Sequence, residues 1–208
     1  MIILGHFFLG FIVSFFGSIP PASINLLVIK IASTKGLRKA LAFAGGAVLI
    51  EFIYSFIAIL CSRYILDHKP IGQLIELIAI PVFLLLGMLS VRTKNKEQHI
   101  EEVDKGNEFL NGLFMGVINP LQIPFWIFYS SYFISIGWLK EEMPMIWIFV
   151  TGIGLGTFAL LFIFAWYSKK WFYGNTSIWN GNLINTIIGW IFIVLAMVQT
   201  GKILWDWL

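Results

Sequence analysis

Six long apolar segments, separated by short polar stretches, dominate the sequence and restrict what it can fold into. Four of them are close to the roughly 20 residues that a helix needs to cross the hydrocarbon core of a bilayer. Charged residues make up 12% of the chain, about half the share that soluble domains carry. The sequence therefore predicts an all-α polytopic membrane protein with six transmembrane helices. The segments are approximately Ile2–Ile31, Ala40–Cys61, Ile71–Val91, Phe109–Ile136, Met143–Ser168 and Leu183–Leu204.

The first and fourth segments are too long for one straight crossing, and both contain prolines. Pro20 and Pro21 interrupt the first segment, whereas Pro120 and Pro124 lie within the fourth. A proline inside a helix removes a backbone hydrogen bond, and its ring clashes with the preceding turn, so that the helix kinks or breaks. We therefore expect broken first and fourth helices.

A short repeat relates these two interrupted segments. The stretch GSIPPASIN, which begins at Gly17, matches the stretch GVINPLQIP, which begins at Gly116, at its first, third, fifth and eighth positions. Each half of the chain holds three spans, an odd number, so the second copy enters the membrane from the opposite side. Such inverted halves are typical of secondary transporters with a site near the midplane. We expect two inverted three-helix repeats, residues 1–91 and 109–208, joined by a charged cytoplasmic connector at residues 92–108.

Basic residues are distributed unevenly between the predicted loops. Ten of the 14 lie in the loops after the first, third and fifth spans. Lys and Arg favour the cytoplasmic side of short loops. The sequence therefore predicts a multi-pass protein of the inner (plasma) membrane with both termini outside the cytoplasm.

Glu51 lies near the centre of the second span, and no other charged residue occurs within ten positions of it. An acidic side chain at that depth costs at least roughly 2.5–3.5 kcal/mol, so it should face protein or water rather than lipid. We interpret Glu51 as a group that couples transport to protons or cations; a neutral, hydrogen-bonded carboxyl is the alternative. Small residues recur on the same helix face at steps of three or four: Ala40, Ala44, Ala47, Ser55, Ala58 and Ser62.

Polar side chains flank both proline breaks. Backbone carbonyls that a break leaves unpaired, and the start of the half-helix that follows, can hold cations or carboxylates at membrane depth. The same side chains can instead satisfy the interrupted backbone, and the sequence leaves both interpretations open. The predicted substrate or coupling residues are Glu51, Pro21, Ser23, Asn25, Asn119, Pro120 and Gln122, with Ser55, Thr157 and Trp126 as secondary candidates.

Three of these features resemble the LysE/RhtB family of amino-acid exporters, and the resemblance covers nearly the whole chain. Pro21-Ala22-Ser23 occupies the place of a Pro-Gly-Pro signature, and the stretch from Gly46 to Glu51 occupies that of Gly-x-x-x-Gly-Asp. Asn119-Pro120 matches an Asn-Pro step that opens the second half in many members. The glycine and second proline of the signature are absent, and Glu replaces Asp. The resemblance implies a secondary transporter that exports amino acids or similar small metabolites by alternating access, with coupling to protons.

Two other classes remain as alternatives: an inorganic-ion carrier of the same superfamily and a non-transporting membrane scaffold. An enzyme is not expected, because no cluster of His and Asp is visible. A metal site and a cofactor are not expected either, because the chain has one cysteine, Cys61, and three scattered histidines. The predicted partners are a small-molecule substrate, protons or another coupling ion, and the lipid bilayer. No basic patch indicates nucleic-acid binding, and a homodimer is left open.

Overall fold

The structure is a computed structural model of the chain. It describes residues 2–19, 23–68, 106–119 and 122–173, together with parts of residues 77–92 and 186–204. Every regular element in these residues is an α-helix, which confirms the all-α prediction for the described part of the chain. The continuous helices are α1 (Ile2–Gly17), α2 (Ser23–Lys35), α3 (Leu37–Asp67), α4 (Glu108–Val117), α5 (Gln122–Ser135) and α6 (Met143–Tyr173).

Several of these helices have the length and composition of membrane spans. Helices α3 and α6 are each long and apolar enough to cross a bilayer, and α4 with α5 passes the same test as one span bent by 65°. Large apolar side chains are exposed on the outer surfaces, among them Phe16, Phe114, Phe128, Leu155 and Trp166. A surface in water does not carry so much exposed apolar area. Exposed apolar area of this extent is what a membrane-spanning protein presents to lipid.

Both segments that we expected to be broken are divided into two helices in the structure. The first consists of α1 and α2, and the fourth of α4 and α5; residues 20–22, 120 and 121 between them lie outside the described residues. Gly36 follows α2 with a φ of 92°, and Gly137 follows α5 with a φ of 73°. Only glycine adopts this left-handed conformation without strain, so each residue marks the end of a half-helix.

The same order of helices, two short and then one long, occurs in residues 2–67 and in residues 108–173. Two short helices of 16 and 13 residues precede one of 31 residues in the first half. Helices of 10 and 14 residues precede one of 31 residues in the second. In this order along the chain, α1 corresponds to α4, α2 to α5 and α3 to α6.

The chain divides into two compact units, each of which draws on both halves. The first unit comprises Met1–Tyr64 and Ile100–Asn175, and the second comprises Ile65–His99 and Thr176–Leu208. The described residues of the second unit are helical. Two of its helical stretches approach closely at Gly87 and Gly189, where a Cβ on either glycine would lie within 3 Å of the backbone carbonyl of the other.

Within the first unit, α1 packs against α6 with backbone touching backbone. A Cβ on Gly10 would collide with the carbonyl of Phe149, and a Cβ on Gly152 would collide with the carbonyl of Phe7. Small residues of this kind let membrane helices approach closely, because apolar side chains gain nothing by leaving lipid and packing must hold the helices together. The contact fixes α1, from the first half, to α6 of the second.

Helix α4 packs against α3 in the same way. A Cβ on Gly46 would collide with the carbonyl of Phe109, and a Cβ on Gly112 would collide with the carbonyl of Phe43. This contact joins α4 of the second half to α3 of the first. The two interfaces therefore relate corresponding helices, and each connects one half of the chain with the other.

Two apolar clusters form the core of the first unit. One lies among α2, the first part of α3 and the last part of α6, and includes Val28, Phe43 and Leu161. The other lies among the last part of α3, α5 and the first part of α6, and includes Ile59, Trp126 and Phe149. Along α3 and α6, the residues between the two clusters form a separate layer.

Candidate functional site

Glu51 occupies the layer between the two apolar clusters, and α3 directs it inward. The side chain is buried, with 4% of the residue exposed. The structure confirms that the predicted small-residue face of α3 is buried, and so Glu51 faces protein rather than lipid. The buried members of this face are Ala40, Ala44, Ala47, Ser55, Ala58 and Ser62.

Hydroxyl groups of α1 and α6 surround the carboxylate. Ser14 Oγ donates to Glu51 Oε1 at 3.4 Å and lies 2.5 Å from Thr157 Oγ1. Thr157 is also within reach of the Glu51 carboxylate, and Ser18 Oγ lies 3.1 Å from Thr157 Oγ1. A chain of three hydroxyls therefore runs from the end of α1 to the carboxylate.

Helix α5 contributes the indole of Trp126, which is 1% exposed. Its Nε1 is directed towards the Glu51 carboxylate. The geometry of this contact is not that of a hydrogen bond, and Nε1 has no other partner in the described residues. Its ring packs edge to face against Phe149 of α6, with the ring centroids 6.2 Å apart. Polar groups from α1, α5 and α6 thus converge on the carboxylate that α3 carries.

The carboxylate has no counter-charge in the described residues, where the ion pairs found are Lys35–Glu108 and Arg63–Glu141. Hydroxyl and indole donors stabilise a carboxylate only in part, and a buried charge without a partner is costly. The arrangement is therefore suited to a group that takes up a proton or meets a cationic group of a ligand.

Three buried polar atoms of α5 lack partners in the described part of the structure: Gln122 Oε1, Trp126 Nε1 and Ser130 Oγ. They are spaced four residues apart and lie along one face of the helix. Leaving such a group unpaired costs about 1–3 kcal/mol, and nearly all buried polar groups in proteins are paired. The polar atoms on this face of α5 are therefore available to bind a ligand.

The predicted residues at the first break have different surroundings. Asn25 is buried, and its Nδ2 donates to the carbonyl of Ser18 at 2.7 Å, so its amide satisfies a carbonyl that the end of α1 leaves unpaired. Ser23 is the first residue of α2 and is exposed. Pro21 lies outside the described residues.

At the second break, the structure describes Asn119 and Gln122 but not Pro120. The backbone N–H of Asn119 donates to the carbonyl of Gly116 at 3.2 Å, and its side chain is half-buried. Gln122 begins α5. Ser55, one turn beyond Glu51, is buried, and its Oγ donates to the carbonyl of Phe52 at 3.1 Å.

Ion pairs lie near the two ends of α3, beyond the apolar clusters. Just before α3 begins, Lys35 Nζ lies 2.8 Å from Glu108 Oε1 and links α2 to α4. Near its other end, Arg63 Nε lies 3.0 Å from Glu141 Oε2, in the loop between α5 and α6. The polar layer is therefore enclosed in both directions by an apolar cluster and an ion pair.

Sequence reasoning did not single out two buried polar residues, Ser14 beside Glu51 and Ser130 of α5. Both had a signal in the sequence. His6, Gly10 and Ser14 recur every four residues in the first segment and are all buried in the structure. Ser130 follows Trp126 by four residues. Small and polar residues with helical periodicity on the half-helices would have pointed to both residues.

Membrane-spanning helices that enclose a polar layer with an uncompensated carboxylate are typical of an integral membrane protein, and the layer is the candidate site. The family model for LysE type translocators matches residues 15–200. The chain belongs to this family and is a multi-pass membrane transporter for a small molecule, which confirms the resemblance inferred from the sequence. No curated protein and no solved structure matches it significantly.

Proposed function

We propose that this transporter exports amino acids or similar small metabolites across the plasma membrane in exchange for protons. The proposal rests on one observation: the carboxylate of Glu51 is buried between two apolar clusters and has no counter-charge in the described residues. An uncompensated charge at that depth is unfavourable. Glu51 is therefore either protonated or paired with a cationic group. A proton and the ammonium of a substrate compete for this one carboxylate, and this competition couples their movements in opposite directions.

Alternating access requires that the two ends of the site open one at a time. The apolar clusters and the two ion pairs provide a closure in each direction. Inverted repeats can adopt two such states, one open to each side of the membrane. The two halves exchange their conformations between these states. The recurring helix order and the two corresponding glycine interfaces support this repeat.

We assign the end that carries Lys35 and Glu108 to the cytoplasm. Lys35, Arg38 and Lys39 are exposed together where α2 meets α3, as the distribution of basic residues in membrane proteins favours. Both termini then lie outside the cytoplasm. Fusion of a reporter enzyme that is active only outside the cytoplasm to the C-terminus should give active protein; an inactive fusion of normal abundance would reverse the orientation.

The structure also favours an organic substrate over an inorganic ion. A metal ion or other inorganic cation needs acceptor atoms all around it. Glu51, Ser14 and Thr157 offer oxygens, but the indole Nε1 of Trp126, directed towards Glu51, is only a donor. A substrate that carries both an ammonium and an oxygen acceptor matches both groups.

Transport by Glu51→Gln in liposomes tests the coupling. Purified protein is reconstituted and uptake of a panel of radiolabelled amino acids is measured with and without an imposed pH gradient. Wild type should accumulate at least one of them in response to the gradient. Glu51→Gln should lower gradient-driven accumulation at least tenfold, because the amide cannot exchange a proton. Glu142→Gln, which changes an exposed carboxylate outside both ion pairs, should not. A gradient response in Glu51→Gln equal to that of wild type would remove Glu51 from the coupling.

A further inference from the structure

The buried side-chain nitrogen and oxygen atoms that have no hydrogen-bond partner in the described residues all lie on one face of α5. Gln122 Oε1, Trp126 Nε1 and Ser130 Oγ follow one another at intervals of four residues, and Trp126 and Ser130 are 1% and 0% exposed. Elsewhere in the first unit, buried hydroxyls have partners: Ser62, for example, donates to the carbonyls of Ala58 and Ile127. The concentration on one helix indicates a ligand rather than imperfect packing, because buried polar groups are otherwise paired almost without exception.

The chemistry of these atoms specifies the ligand. An indole N–H is only a donor, an amide oxygen is only an acceptor, and a serine hydroxyl serves as either. Trp126 therefore requires an acceptor, for which an oxygen of the ligand competes with the Glu51 carboxylate, and Gln122 Oε1 requires a donor. The Glu51 carboxylate, towards which the Trp126 indole is directed, requires a cationic group or a proton.

We propose that this face of α5 binds the zwitterionic end of the substrate, an inference that rests on the proposed function. Trp126 and Ser130 hold its carboxylate, while Gln122 Oε1 and Glu51 hold its ammonium. The groups are ordered along the helix as the substrate requires, with the acceptor at Gln122 one turn from the donor at Trp126 and two turns from Ser130. A simple amine pairs only with the acceptors, Gln122 and Glu51. An anion pairs only with the donors, Trp126 and Ser130, and is repelled by the Glu51 carboxylate.

The test compares amino acids with the amines that lack their carboxylate. The probes are L-leucine with isoamylamine and L-lysine with cadaverine, each added as a competitor of amino-acid counterflow in liposomes. Wild type should bind the amino acid at least tenfold more tightly than the corresponding amine. In Ser130→Ala and Trp126→Phe the affinity for the amino acid should fall about tenfold, the loss of one hydrogen bond to a charged group, whereas the affinity for the amine should not change.

Thermal unfolding separates this role from a structural one. Ser130→Ala removes a hydroxyl that has no partner, so its unfolding temperature should equal or exceed that of wild type. Ser62→Ala removes a hydroxyl that is bonded to two carbonyls; it should unfold at a lower temperature but keep the preference for the amino acid.

The outcomes distinguish this inference from the function on which it rests. One outcome is that wild type transports amino acids while Ser130→Ala and Trp126→Phe keep the preference for the amino acid over the amine, or lose affinity for both equally. In that case the proposed α5 site is wrong, but the proposed export function is not contradicted. If wild type transports no amino acid in either direction, the proposed function fails and the inference fails with it.

Discussion

The contact between α3 and α4 predicts opposite effects for the same substitution at two adjacent glycines. In Gly46→Ala, the new Cβ would lie 2.7 Å from the backbone nitrogen of Leu113 and closer still to the carbonyl of Phe109. In Gly45→Ala, the nearest atoms are those of the Phe109 ring, at 3.9 Å. The first position cannot accept a methyl group without moving a helix, and the second accepts it as an ordinary van der Waals contact.

The magnitude follows from two terms. Replacing a helical glycine with alanine favours the helix by up to about 1 kcal/mol, and this gain applies to both variants. Overpacking costs about 1–3 kcal/mol, and only Gly46→Ala incurs it. The free energies of unfolding should therefore differ by about 1–3 kcal/mol, towards the upper end because the colliding atoms belong to the backbone.

Unfolding of the purified variants in detergent, followed by circular dichroism during heating, measures the difference. Gly45→Ala should unfold at or above the temperature of wild type, and Gly46→Ala clearly below it. Helix α6 offers a second matched pair: a Cβ on Gly152 would collide with the backbone of α1, whereas one on Gly154 would lie 3.5 Å from the side chain of Val48. Equal unfolding temperatures for Gly45→Ala and Gly46→Ala would refute the close approach of α3 and α4.

Two further substitutions test the contacts around the site. Asn25→Ala should lower the free energy of unfolding by about 1–3 kcal/mol, because it leaves the carbonyl at the end of α1 unpaired; heating in detergent checks this, and an unchanged unfolding temperature would contradict it. Lys35→Met should cost about 1.5–3 kcal/mol, because it leaves the buried Glu108 without its charged partner, whereas Arg63→Met should cost less than about 1 kcal/mol, because Arg63 and Glu141 are both exposed by more than a third. The same unfolding measurement compares the two, and equal losses would show that burial of Glu108 does not matter.

The sequence predicted that Glu51 is buried, because in a bilayer this prediction needs only the residues of the helix that carries it. A carboxylate cannot face lipid, so the face of α3 that carries it had to be the buried face. The periodicity of small residues then identified the whole face, from Ala40 to Ser62, and all of it is buried. The division of the first and fourth segments was equally local, since proline acts on its own turn.

The sequence did not predict which helices meet, because that depends on contacts between distant segments. Ser14 and Thr157 are 143 positions apart, and nothing near either residue in the sequence specifies the other. Ser130 follows the candidate residue Trp126 by four positions, but only the structure shows that its hydroxyl is buried without a partner. The interpretation of Asn25 also needed the structure, which shows its amide bonded to the interrupted backbone.

The pattern of packing restricts how the polar layer can open. Helices α1 and α4 each touch a long helix of the other half through glycine, backbone against backbone, and such contacts cannot loosen without losing the packing that holds them. Helices α2 and α5 contact their neighbours through side chains, and each belongs to a different apolar cluster. If the protein works by the alternating access that we propose, the half-helices that follow the breaks are therefore the elements expected to move, α2 at one end and α5 at the other. Since α5 also carries the unpartnered polar face, a substrate bound there would be in contact with the element that closes behind it.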